Sequence, residues 1–284
     1  MKKILVPTDF SSSAANALNF AVQTAKSYPL EIILLHVVDR MDSLYSEAPQ
    51  IIQENYTTIL EEAQIKLDQV KSSIAETESL DIRTFLREGE VDEHILELTE
   101  EIDIDLIVMG TFGINGLKDR IWGSKTAGLT GKTKVPVMVI PYEYNWKVPQ
   151  KALLATSFFE EDSNVLNPIA GLMAVYNLML HVAVFTDEDT ADAAQFMENS
   201  MNIDHYGKKL QRQLNTTSVI TSHLSGHKFE DALQDYIKDN DIDILVMVTY
   251  QRSLWDRVFH PSTTRRMSYH TTIPLLIIPA AKEE

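Results

Sequence analysis

Three glycines and a serine in the first half of the chain have the types and spacing to hold a phosphate. Gly110 and Gly113 are separated by two residues, Gly123 follows after nine more, and Ser124 is next. Glycine permits positive φ and lets backbone N–H groups approach an anion with no Cβ in the way. The residues after Ser124, KTAGLTGKT, read as a short helix whose first free N–H groups and dipole would face that anion. Ser124 adds a hydroxyl donor. A plain turn is the competing reading of such glycines, and their placement between a strand and a helix favours phosphate. The spacing is neither G-x-G-x-x-G nor G-x-x-x-x-G-K-[ST], so it points to neither a dinucleotide dehydrogenase nor a P-loop motor. Asp9 is the second chemical feature. Its carboxylate could accept from ribose hydroxyls or orient Mg²⁺ on phosphates. It could equally cap the helix that starts near Ser11.

The elements that must position these residues are strands and helices in alternation. KILVPT (3–8), EIILLHVV (31–38), LDIRTFL (80–86), DLIVMG (105–110) and PVMVI (136–140) are short apolar runs of the kind buried on both faces of a parallel sheet. Helical spacing appears between them. After the serines at 11–13, Ala14, Leu18, Ala21, Val22 and Ala25 share a face; residues 51–77 are a long amphipathic pattern; residues 90–101 place Val91, Ile95 and Leu98 together. A further helix is expected after Gly123. This alternation predicts right-handed crossovers and a doubly wound, five-stranded parallel sheet flanked by helices. Ligands of such sheets sit at the carboxyl ends of the strands. The first strand ends at Pro7-Thr8-Asp9 and the fourth at Met109-Gly110.

The whole unit occurs twice. KKILVPTDF (2–10) is echoed by QKALLATSF (150–158), DIDLIVMGT (103–111) by DIDILVMVT (241–249), and VPVMVIP (135–141) by IPLLIIP (273–279). The offset drifts from 148 to 138, so the second copy has lost about ten residues, and the segment after the second strand is the expected place. Two tandem α/β domains are predicted, 1–143 and 149–281, joined by a linker near 142–148. The second copy has lost the phosphate chemistry. Gly110 becomes Val248, Gly113 becomes Gln251, Gly123 becomes Pro261 and Asp9 becomes Ser157; only Ser124 keeps its type, as Ser262. Side chains at 248 and 251 would block the backbone, and Pro261 has no N–H to donate.

At this point the first copy resembles a universal stress protein domain of the ATP-binding kind. That family's pattern is G, two residues, G, nine residues, G, then Ser or Thr, which Gly110, Gly113, Gly123 and Ser124 match without a gap. VPTDFS (6–11) is similar to its opening strand and turn, and VPVMVI (135–140) to its closing strand. The resemblance covers the chain as a tandem pair and is weaker in the second copy. It implies a Rossmann-like, adenine nucleotide alpha hydrolase-like fold in each half. It implies ATP as ligand, with adenine against Pro7, Thr8, Asp9 and Val37. The ribose and phosphates would lie along Met109, Gly110, Phe112, Gly113, Gly123, Ser124, Lys125 and Thr126. Many members carry His where this chain has Phe112. Related single domains pair through their fifth strands, which implies an intramolecular pseudo-dimer here and leaves a homodimer open.

Composition narrows the function further. The 284 residues carry a net charge of −16, divided as −9 over 1–148 and −7 over 149–284. An evenly acidic surface repels nucleic acid and anionic membrane. The absence of cysteine removes disulfides and thiolate chemistry. The apolar stretch of MKKILVPTDF is too short for a signal peptide core, and no run of about 18 apolar residues exists, so a cytoplasmic protein is expected. His223 and His227 lie four apart, but in a strand end and loop rather than on a helix, and no third ligand accompanies them, so no metal site is predicted. His36 and His181 are read as equivalent strand-end residues, each satisfying a local hydrogen bond. Arg265 and Arg266 are read as surface charges, Trp122, Trp146 and Trp255 as packing residues. No arginine finger or general base is evident. The expected function is therefore an ATP-binding stress-response or regulatory protein with the nucleotide in the first domain only. A slow nucleotide hydrolase using Asp9 and Mg²⁺, or an interaction module that binds no nucleotide, are the alternatives.

Overall fold

The computed structural model describes residues 1–39, 49–111, 129, 132–156, 159–189, 191–250 and 272–280. They form two compact units, Met1–Tyr142 and Glu143–Glu284. The first unit contains strands β1 (Lys3–Pro7), β2 (Glu31–Val38), β3 (Ile82–Glu88), β4 (Leu106–Gly110) and β5 (Val137–Ile140), with helices α1 (Ser12–Ser27), α2 (Pro49–Glu78) and α3 (Val91–Glu101). Its strands run in the order β3-β2-β1-β4-β5, all parallel. The second unit repeats this with β6 (Lys151–Thr156), β7 (Met179–Asp187), β8 (Val219–Gly226), β9 (Ile244–Tyr250) and β10 (Leu275–Ala280), and with α4 (Ser163–Tyr176), α5 (Ala193–Gln213) and α6 (Phe229–Asp239). Its order is β8-β7-β6-β9-β10, again parallel. In both units the switch in strand order falls beside the first strand, the place where sheets of this kind bind ligands.

The central strands are apolar on both faces because helices cover both. Ile4, Leu5, Val6, Ile33, Leu34, Ile107 and Val108 have no exposed surface in the first unit, nor do Leu153, Leu154, Val182, Val184, Leu245 and Val246 in the second. Each such side chain contributes about 1.5–3 kcal/mol by leaving water. Helix α1 begins where the Ser11 hydroxyl accepts from the Ala14 N–H, 3.2 Å, and it buries Ala14, Ala17, Leu18, Ala21, Val22 and Ala25 on the sheet. In α3, Ile95 and Leu98 are buried as expected and Val91 is only half-buried. The third strand starts two residues later than expected, at Ile82, after Ser79 takes a left-handed φ of 56° and the chain from Ser79 to Asp81 runs outside regular structure.

Strand register locates the length difference between the copies. Ile32 on β2 corresponds to Leu180 on β7, an offset of 148, whereas their partners Ile82 and Val219 are offset by 137. The shortening therefore lies in the crossover after the second strand, where α5 is 21 residues against 30 in α2. The same register corrects one equivalence. His181 corresponds to Ile33 and His36 to Val184, so His181 lies three residues deeper in its strand than His36 and is a core residue, 3% exposed.

Each unit is also stapled by one aspartate. Asp105 accepts from the N–H groups of Lys2 and Lys3 at 2.6 and 2.9 Å. Asp243 accepts from Gln150 and Lys151 at 2.8 and 3.0 Å and pairs with Lys147 at 2.5 Å. The repeated DID sequence thus holds the start of each unit's first strand against its fourth.

Candidate functional site

The carboxyl ends of β2, β1 and β4 are adjacent in the first unit, and they bring together Val37, Pro7, Thr8, Asp9, Met109 and Gly110. Phe112, Gly113, Gly123, Ser124, Lys125 and Thr126 lie outside the described residues, as do the helix expected after Gly123, Trp122, Trp255, Arg265 and Arg266.

The turn after β1 is built from local side-chain bonds. The Thr8 N–H donates to the Leu35 carbonyl at 2.8 Å, which carries the β1–β2 pairing one residue past the strand. The Thr8 hydroxyl accepts from the Phe10 N–H at 3.1 Å, and the Asp9 carboxylate accepts from the Ser11 N–H at 3.0 Å. These bonds hold Phe10 at φ 60°, a conformation costly for a side chain with a Cβ. Ser11 is the helix cap, so Asp9 serves the turn instead. Thr8 and Asp9 remain half-buried at the edge of the sheet.

His36 completes this corner. Its Nδ1 lies 2.7 Å from the Thr8 carbonyl, which can only accept, so Nδ1 carries the proton. Its ring packs 4.4 Å from Phe10, over which Lys66 of α2 sits at 5.7 Å. Burial lowers the pKa of His36 below the ordinary histidine value; the Thr8 carbonyl and Asp9 pull it back up, and Lys66 adds to the lowering.

On β4, Met109 is buried and Gly110 is half-buried at the strand end. A Cβ at Gly110 would lie 2.3 Å from the Ser13 hydroxyl and 2.5 Å from the Ser13 carbonyl oxygen. The first turn of α1 therefore rests directly on this glycine, a packing reason for Gly110 besides any phosphate. Next to it, the Thr111 hydroxyl is buried with no hydrogen-bond partner among the described residues. Sequence reasoning missed Ser13 and Thr111, because nothing in their types distinguishes them from solvated hydroxyls. It also missed Asn16, whose side-chain amide donates to the Pro141 carbonyl at 3.0 Å and ties α1 to the end of β5.

The matching corner of the second unit is bonded differently among its described residues. The cap of α4 is Asp162, offset by 151 from Ser11, three residues later than the 148-residue offset of the first strands. Before that cap, the Thr156 hydroxyl donates to the Glu160 carboxyl at 3.0 Å and the Tyr206 hydroxyl of α5 donates to the Glu160 carbonyl at 2.8 Å. Phe159 packs edge-on to Tyr206 at 5.1 Å. Thr156, Glu160 and Tyr206 are 7, 4 and 3% exposed. Val248, at the position of Gly110, is buried.

His223 and His227 take separate partners. His223 bonds Thr186 and Ser200 at 2.8 and 2.7 Å, and His227 bonds Asp189 at 2.9 Å. Among the described residues no group of three His, Asp or Glu side chains could hold a metal ion, and no helix is long and apolar enough to cross a membrane.

Comparison with known proteins matches the chain to the model of the Universal stress protein family twice, over residues 1–141 and 151–279. Universal stress protein MJ0577 of Methanocaldococcus jannaschii is 31% identical over 155 residues, covering 49% of this chain and 94% of that protein. Universal stress protein Slr1230 of Synechocystis is 23% identical over 97% of this chain and 99% of its own length. A universal stress protein structure from Archaeoglobus fulgidus superposes with a TM-score of 0.72 at 17% identity, covering 98% of both chains; at that identity the likeness is one of fold.

Proposed function

The chain belongs to the universal stress protein family, and from that premise we propose that it is an ATP-binding regulatory protein whose first unit alone holds the nucleotide. The observation that carries this reading is the contrast between the two carboxyl edges. The first has a short polar turn, a strand ending in glycine and a buried hydroxyl with no partner among the described residues. The second has valine at the strand position of Gly110 and a later helix cap, with Glu160 bonded to Thr156 and Tyr206 and Phe159 packed on Tyr206.

In this reading Pro7, Thr8, Asp9 and Val37 contact adenine and ribose. Met109, Gly110, Phe112, Gly113, Gly123, Ser124, Lys125 and Thr126 follow the ribose and phosphates, with Mg²⁺ on the phosphates. The fit is chemical: a half-buried polar turn suits a sugar and base, and unhindered N–H groups suit a polyanion on a chain whose net charge would otherwise repel it. The function is binding, with the nucleotide as a regulatory ligand.

Titration calorimetry of the full chain with ATP and Mg²⁺ tests this. One site per chain is expected, abolished by Gly113→Val. Absence of binding at millimolar ATP would remove the nucleotide reading. Two sites per chain would remove its restriction to the first unit, and unchanged affinity in Gly113→Val would move the site away from the glycine loop.

A further inference from the structure

Helix α5 begins beyond the support of its sheet. Residues 192–198 are exposed on every side, and the first buried residue of the helix is Ile203. On this overhang Phe196, Met197 and Met201 are 41, 62 and 74% exposed. Met197 and Met201 are one turn apart, so their side chains lie side by side. Leaving three large apolar side chains in water is unfavourable, and clustered ones mark interaction sites far more often than single ones do.

The overhang is nonetheless fixed in place. Asp192 caps it by accepting from the Gln195 N–H at 2.8 Å. The Asn199 amide donates to the Thr186 hydroxyl at 2.8 Å, and that oxygen lies 2.8 Å from His223 Nε2. His223 Nδ1 in turn meets the Ser200 hydroxyl at 2.7 Å, and the Phe196 ring packs 4.7 Å from the imidazole. A surface held rigid before binding loses little entropy when a partner arrives.

Its electrostatic setting is one-sided. From residue 152 to residue 207 the chain contains no lysine or arginine. Asp187 ends β7, Glu188, Asp189 and Asp192 lie between it and α5, and Glu198 and Asp204 lie on α5. His227 pairs with Asp189 and Glu188, and no lysine or arginine pairs with these six carboxylates among the described residues. An acidic rim around a methionine-rich apolar face complements a helix with an apolar stripe flanked by Lys and Arg, and repels nucleic acid and anionic lipid. We propose that the first three turns of α5 are a docking surface for a cationic amphipathic helix of another protein. This surface is independent of the nucleotide site.

The probe is a synthetic 14-residue Leu/Lys amphipathic peptide carrying one Trp, with a Leu/Glu peptide of the same pattern as its counterpart. Fluorescence anisotropy at physiological salt, with the full chain, reads the binding. Saturable binding of the Leu/Lys peptide, none of the Leu/Glu peptide, and at least a tenfold loss in the double variant Met197→Ser, Met201→Ser are expected. A control double variant on α2, Ile59→Ser with Ile65→Ser, removes exposed apolar residues elsewhere and should leave affinity unchanged. All four positions are exposed, so circular dichroism should be the same throughout. The proposal is overturned if the Leu/Lys peptide does not bind, if the Met variant binds as tightly as the parent, or if both peptides bind alike. It is also overturned if sedimentation reveals a self-association that the Met variant abolishes, because the occupant would then be a second copy of this chain.

Discussion

The two units share a strand order and a stapling aspartate, yet they treat the end of the fourth strand oppositely. In the first, Gly110 lets the opening turn of α1 rest on β4, so close that a Cβ would meet Ser13 at 2.3 Å. In the second, Val248 stands at that position and is buried. The longer turn before α4 folds Phe159 and Glu160 against Tyr206. One glycine-to-valine difference and a helix cap three residues later thus accompany the divergence of the two edges. A duplicated sheet preserves its core because the core is the same packing problem twice, while the edge is free to diverge.

The largest expected effect comes from making the first unit like the second. Gly110→Val drives a side chain into backbone atoms of Ser13, which flexible side chains cannot relieve, and should destabilise the first unit by about 3 kcal/mol. Hydrogen exchange read by mass spectrometry should show α1 and β4 exchanging faster while α4 and β9 are unchanged. Equal protection of α1 in the variant and the parent would mean that the helix tolerates Cβ there, and the contrast between the units would lose its structural basis.

A smaller effect separates the two staples. Asp243 is buried, bonds two N–H groups and pairs with Lys147; Asp105 bonds two N–H groups but is exposed. Asp243→Ala should cost about 2–3 kcal/mol and Asp105→Ala about 1 kcal/mol, because water replaces a lost bond more easily at an exposed site. Urea unfolding of the two variants measures the difference; equal costs would show that burial and Lys147 add nothing.

Much of this was legible in the residues. Apolar runs such as EIILLHVV placed the strands, and the three echoes with their drifting offset gave both copies and the crossover where the second is shorter. Pro7, Thr8, Asp9, Val37, Met109 and Gly110 could be placed at one edge because doubly wound sheets put strand ends there. Other features depended on distances that spacing does not encode. Gly110 offers the same letter whether it admits a phosphate or a helix. Ser13 and Asn16 look like ordinary polar helix residues, and the Asp of each DID looks like a surface charge. The equivalence of His36 and His181 failed because only register counts positions along paired strands. The packing of Glu160 and Tyr206 was hidden because the two residues are 46 apart in sequence.

The smallest effect concerns pH and distinguishes the strand histidines of the two units, half-buried His36 and buried His181. His181 is 3% exposed; its Nδ1 lies 3.0 Å from the Tyr236 hydroxyl, which lies 3.0 Å from the Ser222 hydroxyl, and its Nε2 has no partner among the described residues. Burial lowers its pKa and the charge of Lys151 lowers it further. Burial also lowers His36, but there the Thr8 carbonyl and Asp9 oppose the shift. A histidine whose folded pKa lies below the unfolded value binds protons more readily when unfolded. Its neutral form therefore contributes full stability above about pH 6.5, and that contribution is lost as pH falls below 6.5 towards the folded pKa. His223, lowered by burial, adds to this in the second unit, whereas His227, raised by its bond to Asp189, works in the other direction. Urea unfolding between pH 7.5 and 5.5, followed by isoleucine methyl signals of Ile4 and Ile107 in one unit and Ile244 and Ile277 in the other, should show the second unit losing more stability on acidification. His181→Phe keeps the Tyr236–Ser222 bond and removes the titrating ring, so it should flatten most of that loss. If the second unit of this variant remained as acid-sensitive as the parent, His181 would not be the group that sets the difference between the two.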